Sequence, residues 1–180
     1  MLRKLLLFAL AVPPLLHAQA GPTAERKGDL QIGAGYSNAQ SDYGRRYTGF
    51  NIYGDFDFRS HFGVEANFHF VQAPSPGLEY EKTYEIGARY LRTYGRFVPY
   101  AKIMIGRGVF NFPPAPPPAS QTVPAGNLAY NMYAPGAGVD VRVRPYLNVR
   151  GDFEYQQWPG FPPSGLGPSV ISIGAAYHFR

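Results

Sequence analysis

The sequence predicts an all-β protein, an eight-stranded antiparallel up-and-down barrel. In eight separate segments, apolar and polar residues alternate with a period of two, as in strands whose successive side chains point to opposite faces. Gly (21) and Pro (18) are abundant, as a chain with many turns requires. The connections between segments are short and long in strict alternation, which is typical of hairpins that follow one another around a closed sheet.

Each strand is predicted from its own alternation, which changes phase or stops where Gly, Pro, Asn or Asp accumulate. The eight segments, in order, are 30–36, 50–58, 62–70, 84–90, 101–106, 137–143, 147–155 and 170–180. Tight turns are predicted at 59–61, 94–96 and 144–145, where too few residues remain for anything but a hairpin. Longer connections are predicted at 37–46, 71–80, 110–128 and 157–168.

The two faces of these strands predict which side is outside. The polar face carries charges of both signs together with many glycines, and a narrow lumen needs small residues beside bulky ones. The apolar face is rich in Phe, Val and Ile, with Tyr near many strand ends. This favours a transmembrane β-barrel with short periplasmic turns and long extracellular loops. The reverse arrangement, a soluble lipocalin-like ligand binder, is the alternative.

The first residues predict export. Arg3 and Lys4 precede a short apolar run, and the small residues Ala18 and Ala20 form a cleavage site, so residues 1–20 are interpreted as a signal peptide. Residues 21–27 would be a short N-terminal tail and 28–180 the barrel domain. Without Arg3 and Lys4 the formal net charge falls from +5 to +3, too small to indicate a nucleic-acid partner.

The end of the chain carries a pattern with a known counterpart. The spacing Gly174-x-x-Tyr177-x-Phe179 resembles the terminal signal of Gram-negative outer-membrane proteins, and the stretches 97–108, 134–143 and 147–156 resemble strands of small OmpA-like (OmpX/OmpW-type) barrels. The resemblance implies location in the cell outer membrane, contact with its lipid and lipopolysaccharide, and insertion by the barrel-assembly machinery. It implies that Gly174, Tyr177 and Phe179 form the assembly signal.

The inward charges predict how the lumen is filled. An eight-stranded barrel is only about wide enough for its own side chains, and buried charges are tolerated when paired. We therefore expect an ion-pair network that closes the lumen. Its expected members are Glu65, Glu85, Arg89, Lys102, Asp140, Arg142, Arg150, Asp152 and Glu154. A gated path through the same charges, which would make the protein a narrow channel for small solutes, is the alternative.

Catalysis and cofactors find little support in the sequence. The stretch Tyr36–Ala39 is similar to a motif of lipid A-modifying barrel enzymes, but that motif needs a His two places before the Ser, where Gly35 stands. No His, Asp or Glu spacing indicates a metal, so no cofactor is expected. Arg45 and Arg46 are candidates for lipopolysaccharide phosphates. The sequence thus predicts a monomer with a structural or surface-interaction role, and not an enzyme.

Overall fold

A computed structural model of the protein describes residues 28–42, 45–58, 61–75, 77–113 and 126–179. The predicted signal peptide (1–20, with Ala18 and Ala20) and the tail at 21–27 lie outside these residues. The described residues form eight strands: β1 (Asp29–Gln40), β2 (Arg46–Asp57), β3 (Phe62–Gln72), β4 (Tyr80–Leu91), β5 (Phe97–Phe112), β6 (Gly126–Arg144), β7 (Leu147–Tyr155) and β8 (Ser169–His178).

The strands close into a barrel in which every strand pairs antiparallel with its neighbours in sequence. β8 also pairs with β1, from Gln31 opposite His178 to Gln40 opposite Ser169. The predicted eight-stranded up-and-down barrel is confirmed. Because closure gives each strand two partners, the backbone N–H and C=O groups of β1 and β8 are satisfied although these strands are the first and the last.

The strands extend further than the alternation of residues indicates. β1 continues to Gln40, inside the connection predicted at 37–46, and pairs there with Arg46 of β2. β5 likewise continues to Phe112, which pairs with Gly126 of β6. Backbone hydrogen bonds hold an antiparallel ladder together whatever the side chains are, so pairing continues beyond the two-faced pattern.

The outer surface is apolar and the middle of the interior is ionic. Phe50, Ile105 and Ile173 are 44%, 62% and 66% exposed on the outside. Arg150 and Glu154, inside, are 2% and 0% exposed. This is the arrangement of a barrel surrounded by lipid. The soluble lipocalin-like alternative requires the apolar face to point inward, and the structure has it pointing outward.

Two ends of the barrel can be distinguished. We call the end with the connections 58–61, 92–96 and 145–146 the turn end, and the end with 41–45, 73–79, 113–125 and 156–168 the loop end. Among the residues that the structure describes, no helix has the length and apolar character needed to cross a membrane. The candidate site lies between the two ends, in the lumen.

Candidate functional site

The centre of the lumen holds a group of buried charges on six strands, which we call the ionic layer. Its members are Asp55, Glu65, Arg89, Lys102, Asp140, Arg150, Asp152 and Glu154. Each points inward because it occupies the inner phase of its strand, and each is at most 6% exposed. The charges are therefore largely shielded from bulk water and depend mainly on one another for solvation.

Arg150 of β7 crosses the lumen to reach three carboxylates. Its Nη2 lies 2.6 Å from Asp55 Oδ2, its Nε 2.6 Å from Asp140 Oδ1 and its Nη1 3.1 Å from Glu65 Oε2. These acceptors belong to β2, β6 and β3. A planar guanidinium has five N–H donors in fixed directions, so one side chain can hold three strands at once.

Arg89 of β4 binds the same three carboxylates from the other side. Its Nη1 lies 2.8 Å from Asp55 Oδ2 and 3.4 Å from Glu65 Oε2, and its Nη2 lies 2.9 Å from Asp140 Oδ2. Two guanidiniums therefore share one set of acceptors. The arrangement joins β2, β3, β4, β6 and β7 across the middle of the barrel.

Lys102 of β5 forms the second centre of the ionic layer. Its Nζ lies 2.6 Å from Glu65 Oε1, 2.9 Å from Asp152 Oδ2 and 2.7 Å from Glu154 Oε1. The three protons of an ammonium group can donate one hydrogen bond to each carboxylate. Glu65 thus bridges the lysine and the two arginines into one continuous network.

Two of the residues predicted for this network form no ion pair with its members in the described part of the chain. Arg142 is exposed at the turn end, and its side chain forms no ion pair within the described ranges. β6 is irregular between Arg142 and Arg144, at its very end. Glu85 is buried, but its polar partners are neutral: the Thr83 hydroxyl donates to Oε1 at 2.5 Å and the Gln156 amide at 3.2 Å. The remaining predicted members lie together.

One member of the layer, Asp55, and two aromatic residues that pack against it were not among the predicted residues. Asp55 accepts hydrogen bonds from both arginines. Its position on the polar phase of β2 is the sequence signal by which it could have been predicted. Tyr100 lies under Arg89, with 4.3 Å from Cζ to the ring centroid, and its hydroxyl donates to Asp152. The ring centroid of Tyr53 lies 4.1 Å from the Cζ of Arg150. Aromatic rings thus cover the guanidinium faces that carboxylates cannot bind.

His69 lies above the ionic layer, toward the loop end, and connects to a serine. Ser37 Oγ lies 3.3 Å from His69 Nδ1, and His69 Nε2 lies 3.2 Å from Glu154 Oε2. The order Ser–His–Glu resembles a hydrolytic triad. All three side chains are at most 2% exposed, however, and Ser37 Oγ also bonds to Ser172 Oγ at 2.7 Å. No substrate reaches this hydroxyl in the described structure.

The loop end of the lumen is filled by apolar side chains, which we call the apolar plug. Its buried members are Ala39, Tyr47, Val71, Ala73, Met104, Phe110, Met132, Ala134, Trp158, Phe161, Leu166 and Val170. Trp158 and Phe161 come from the connection between β7 and β8, whose residues 157–168 were predicted to form a long extracellular loop. This connection turns inward because its backbone is hydrogen-bonded to β6: Tyr133 N–H donates to Gln157 O at 3.1 Å. As a result, Trp158 lies fully buried inside the barrel.

The turn end is open instead. A cavity of about 580 Å³ lies there, and polar side chains such as Asp29, Asn148 and His178 line much of it. Asp140, a member of the ionic layer, forms its floor. Buried side chains therefore occupy the lumen in the middle and toward the loop end, and the cavity lies at the turn end.

The predicted assembly signal lies at the closing strand. Tyr177 and Phe179 are 53% and 42% exposed on the outside, with ring centroids 5.0 Å apart. Gly174 faces inward opposite Gly35 of β1. A Cβ at Gly174 would lie 2.6 Å from Ala34 O and 2.9 Å from Gly35 Cα, so this glycine permits the close approach of β8 to β1.

Comparisons with known proteins agree with this architecture. The chain matches the family model described as outer membrane protein beta-barrel domain over residues 5–179. No curated protein matches the sequence.

Solved structures show the same fold at low identity. The crystal structure of Ail, the attachment invasion locus protein of Yersinia pestis, is 20% identical with a TM-score of 0.61, covering 85% of this chain and 99% of that one. Neisserial surface protein A is 14% identical with a TM-score of 0.62, covering 85% and 97%. The outer membrane protein OprG from Pseudomonas aeruginosa is 15% identical with a TM-score of 0.58, covering 85% and 96%.

Proposed function

Since the chain belongs to the family of outer membrane protein beta-barrel domains and lies in the cell outer membrane, we propose that it is a closed, non-conducting barrel with a structural and surface-interaction role. The observation that carries this proposal is the ionic layer. Arg150 alone contacts carboxylates from β2, β3 and β6, so a single side chain blocks the width of the lumen.

The apolar plug is a second and chemically different barrier. An ion that passed the paired charges would next meet Trp158, Phe161 and Met104, which offer it no oxygen or nitrogen ligand. An ion in an apolar region loses its hydration without compensation, at a cost of many kcal/mol. Two barriers in series support a closed barrel better than the ionic layer alone would.

Closure predicts the absence of conductance. The folded protein, incorporated in a planar lipid bilayer, should give no unitary current steps, while a porin added to the same bilayer shows that the assay detects passage. The narrow-channel alternative is favoured by one feature, the cavity of about 580 Å³ at the turn end, which brings water as far as Asp140. Reproducible current steps from the folded barrel would establish that alternative and end our proposal.

We propose no catalytic role. A hydrolytic serine must meet its substrate, and Ser37 is 0% exposed beneath the apolar plug. The outer face of the barrel, where a lipid would lie, carries no His within the described strands. The buried Ser37–His69–Glu154 series therefore supports hydrogen bonding that holds β1, β3 and β7 together.

The surface interaction we propose is with lipopolysaccharide at the loop end, which we place on the cell exterior. Lys82 Nζ lies 4.7 Å above the ring of Tyr80, on the outer face of β4. Arg107 on neighbouring β5 faces the same way and is positioned by hydrogen bonds to Asn131 Oδ1 and Ala129 O. An ammonium group held over an aromatic ring, with a guanidinium group fixed on the neighbouring strand, suits a phosphorylated lipid.

Of the two arginines that the sequence singled out, only one keeps this role. Arg45 is paired with Glu79, with 3.0 Å from Nη1 to Oε2, so its charge already has a partner. Arg46 lies on the outer face, and its hydrogen bond within the described residues is to the neutral amide of Gln40, at 3.2 Å. We therefore include Arg46, Lys82 and Arg107 in the lipid-binding surface.

Removing two of these charges should weaken binding of lipopolysaccharide. The double variant Lys82→Gln Arg107→Gln should bind purified lipopolysaccharide roughly a hundredfold more weakly in detergent, because two charge-assisted contacts of about 1.5 kcal/mol each are lost. The matched control is Arg92→Gln Arg96→Gln at the turn end, which should bind as the unmodified protein does. Equal binding by both double variants, or unchanged binding to dephosphorylated lipopolysaccharide, would contradict the proposed surface.

We further propose that the protein is a monomer inserted by the barrel-assembly machinery through Gly174, Tyr177 and Phe179. Closure of the barrel supports a monomer, because all eight described strands are paired on both sides and leave no edge for another copy. The outward position of Tyr177 and Phe179 supports insertion by the assembly machinery, since an assembly factor could contact them before β8 pairs with β1.

A further inference from the structure

The lumen carries more negative charge than its own cations balance. Three buried cationic side chains, Arg89, Lys102 and Arg150, face seven buried carboxylates in the described part of the chain. The carboxylates are Asp55, Glu65, Glu81, Glu85, Asp140, Asp152 and Glu154. Since buried charges require compensation, four formal negative charges remain to be compensated by something other than Arg or Lys.

The clearest case of uncompensated negative charge is Glu85. This carboxylate is 5% exposed, and its two hydrogen-bond donors, Thr83 and Gln156, are neutral. Its second oxygen, Oε2, is buried without any hydrogen-bond partner. A buried carboxylate oxygen left in this way costs free energy, unless a proton or a metal ion binds it.

Three ligand-bearing side chains converge at that point. His69, Glu85 and Glu154 each offer one ligand atom, and these atoms lie within 4.8 Å of one another. A point then exists within about 2.8 Å of all three atoms, so shifts of roughly 0.7 Å would bring them to the ~2.1 Å of zinc–nitrogen and zinc–oxygen bonds. Side-chain rotation can supply shifts of that size.

The hydrogen bonds of the imidazole point in the same direction. The Asn67 amide lies 2.8 Å from His69 Nε2 and also donates to Glu154 Oε1 at 3.1 Å, which identifies its nitrogen as the atom facing the ring. Nε2 is then an acceptor, and Nδ1 carries the proton toward Ser37 Oγ. A metal-binding histidine is commonly held in this way, with one nitrogen donating to an oxygen and the other presenting its lone pair to the metal.

This tautomer leaves two acceptors facing each other. His69 Nε2 and Glu154 Oε2 are 3.2 Å apart, and without a proton between them a lone pair meets a carboxylate. A cation between them would turn this repulsion into attraction. Lys102 does not supply it, because its Nζ binds the other oxygen of Glu154, at 2.7 Å, and is already shared with Glu65 and Asp152.

We propose that His69, Glu85 and Glu154 form a binding site for one divalent transition-metal ion of the zinc type. One imidazole nitrogen and two carboxylates are ligands that such ions accept. Half a turn of the Asn67 amide would present its oxygen as a fourth ligand. The ion would join β3, β4 and β7 and compensate two of the excess negative charges.

The site lies between the ionic layer and the apolar plug, so the ion must enter as the barrel forms. We would therefore fold the full chain from denaturant into detergent micelles with Co²⁺ present, remove free metal by gel filtration, and measure cobalt per chain together with the visible d–d absorption. The unmodified protein should retain about one cobalt per chain, with absorption bands typical of nitrogen and oxygen ligands. Heat-dependent gel mobility verifies that each sample has folded.

Three variants decide the question. Glu85→Gln keeps the shape of the side chain and should reduce cobalt to background, as should His69→Gln at a second ligand. Glu81→Gln removes another buried carboxylate from the same face of β4, about 13 Å away along the strand, and should retain cobalt as the unmodified protein does. Background cobalt in the folded unmodified protein, or equal cobalt in folded Glu85→Gln and Glu81→Gln, would overturn the proposal in favour of protonated Glu85 or His69.

Discussion

Replacement of Arg150 by Leu should destabilise the folded barrel by about 3–5 kcal/mol, the cost of leaving a buried charge cluster without one of its partners. Asp55, Asp140 and Glu65 would each lose a hydrogen bond of 3.1 Å or shorter. Arg89 cannot replace the missing charge, because it already binds the same three carboxylates. Equilibrium unfolding in urea, in lipid vesicles, measures the free energy.

The matched control is Arg142→Leu. The sequence places both arginines on the inner phase of two neighbouring strands, but Arg142 is exposed and has no ion pair among the described residues. We expect a change within about 0.5 kcal/mol, as for surface substitutions in general. Trp158 is the only tryptophan and is fully buried, so its fluorescence reports unfolding in both variants. Equal destabilisation by the two substitutions would show that the ionic layer does not depend on Arg150.

Replacement of Trp158 by Ala should cost about 3–5 kcal/mol, the usual range for a large aromatic side chain removed from a core. The indole is 0% exposed and has an edge contact with Phe161, with centroids 6.3 Å apart. It also packs on Gly108, where a Cβ would lie 2.3 Å from the ring. Because the indole is closely packed, its removal leaves a cavity that neighbouring side chains cannot fill.

Because the variant has no tryptophan, its stability is measured by heat-dependent gel mobility as a function of urea. Leu78→Ala, an apolar residue that is 71% exposed at the same end of the barrel, is the control and should behave as the unmodified protein does. The Trp158 variant should still give no current steps in a planar bilayer, since the ionic layer remains. A conducting Trp158→Ala barrel would mean that the apolar plug, and not the ionic layer, closes the lumen.

The alternation of apolar and polar residues determined most of the architecture. With a period of two, every segment from 30–36 to 170–180 has one apolar side and one side of small or polar residues. Eight such segments with hairpin connections can satisfy their backbones in a membrane only by closing. The presence of Phe and Ile on one side and of charges and Gly on the other also determined which side faces the lipid. These are local properties, so the sequence contains them directly.

The tertiary structure alone decided how the interior is paired. Arg150 and Asp55 are 95 residues apart, and their contact depends on the curvature of the barrel and on the offset between strands. The same long-range geometry leaves Arg142 outside the ionic layer, adds Asp55 to it and brings His69, Glu85 and Glu154 together from three strands. The inward turn of Trp158 likewise depends on backbone bonds to β6, which no pattern within 156–168 encodes.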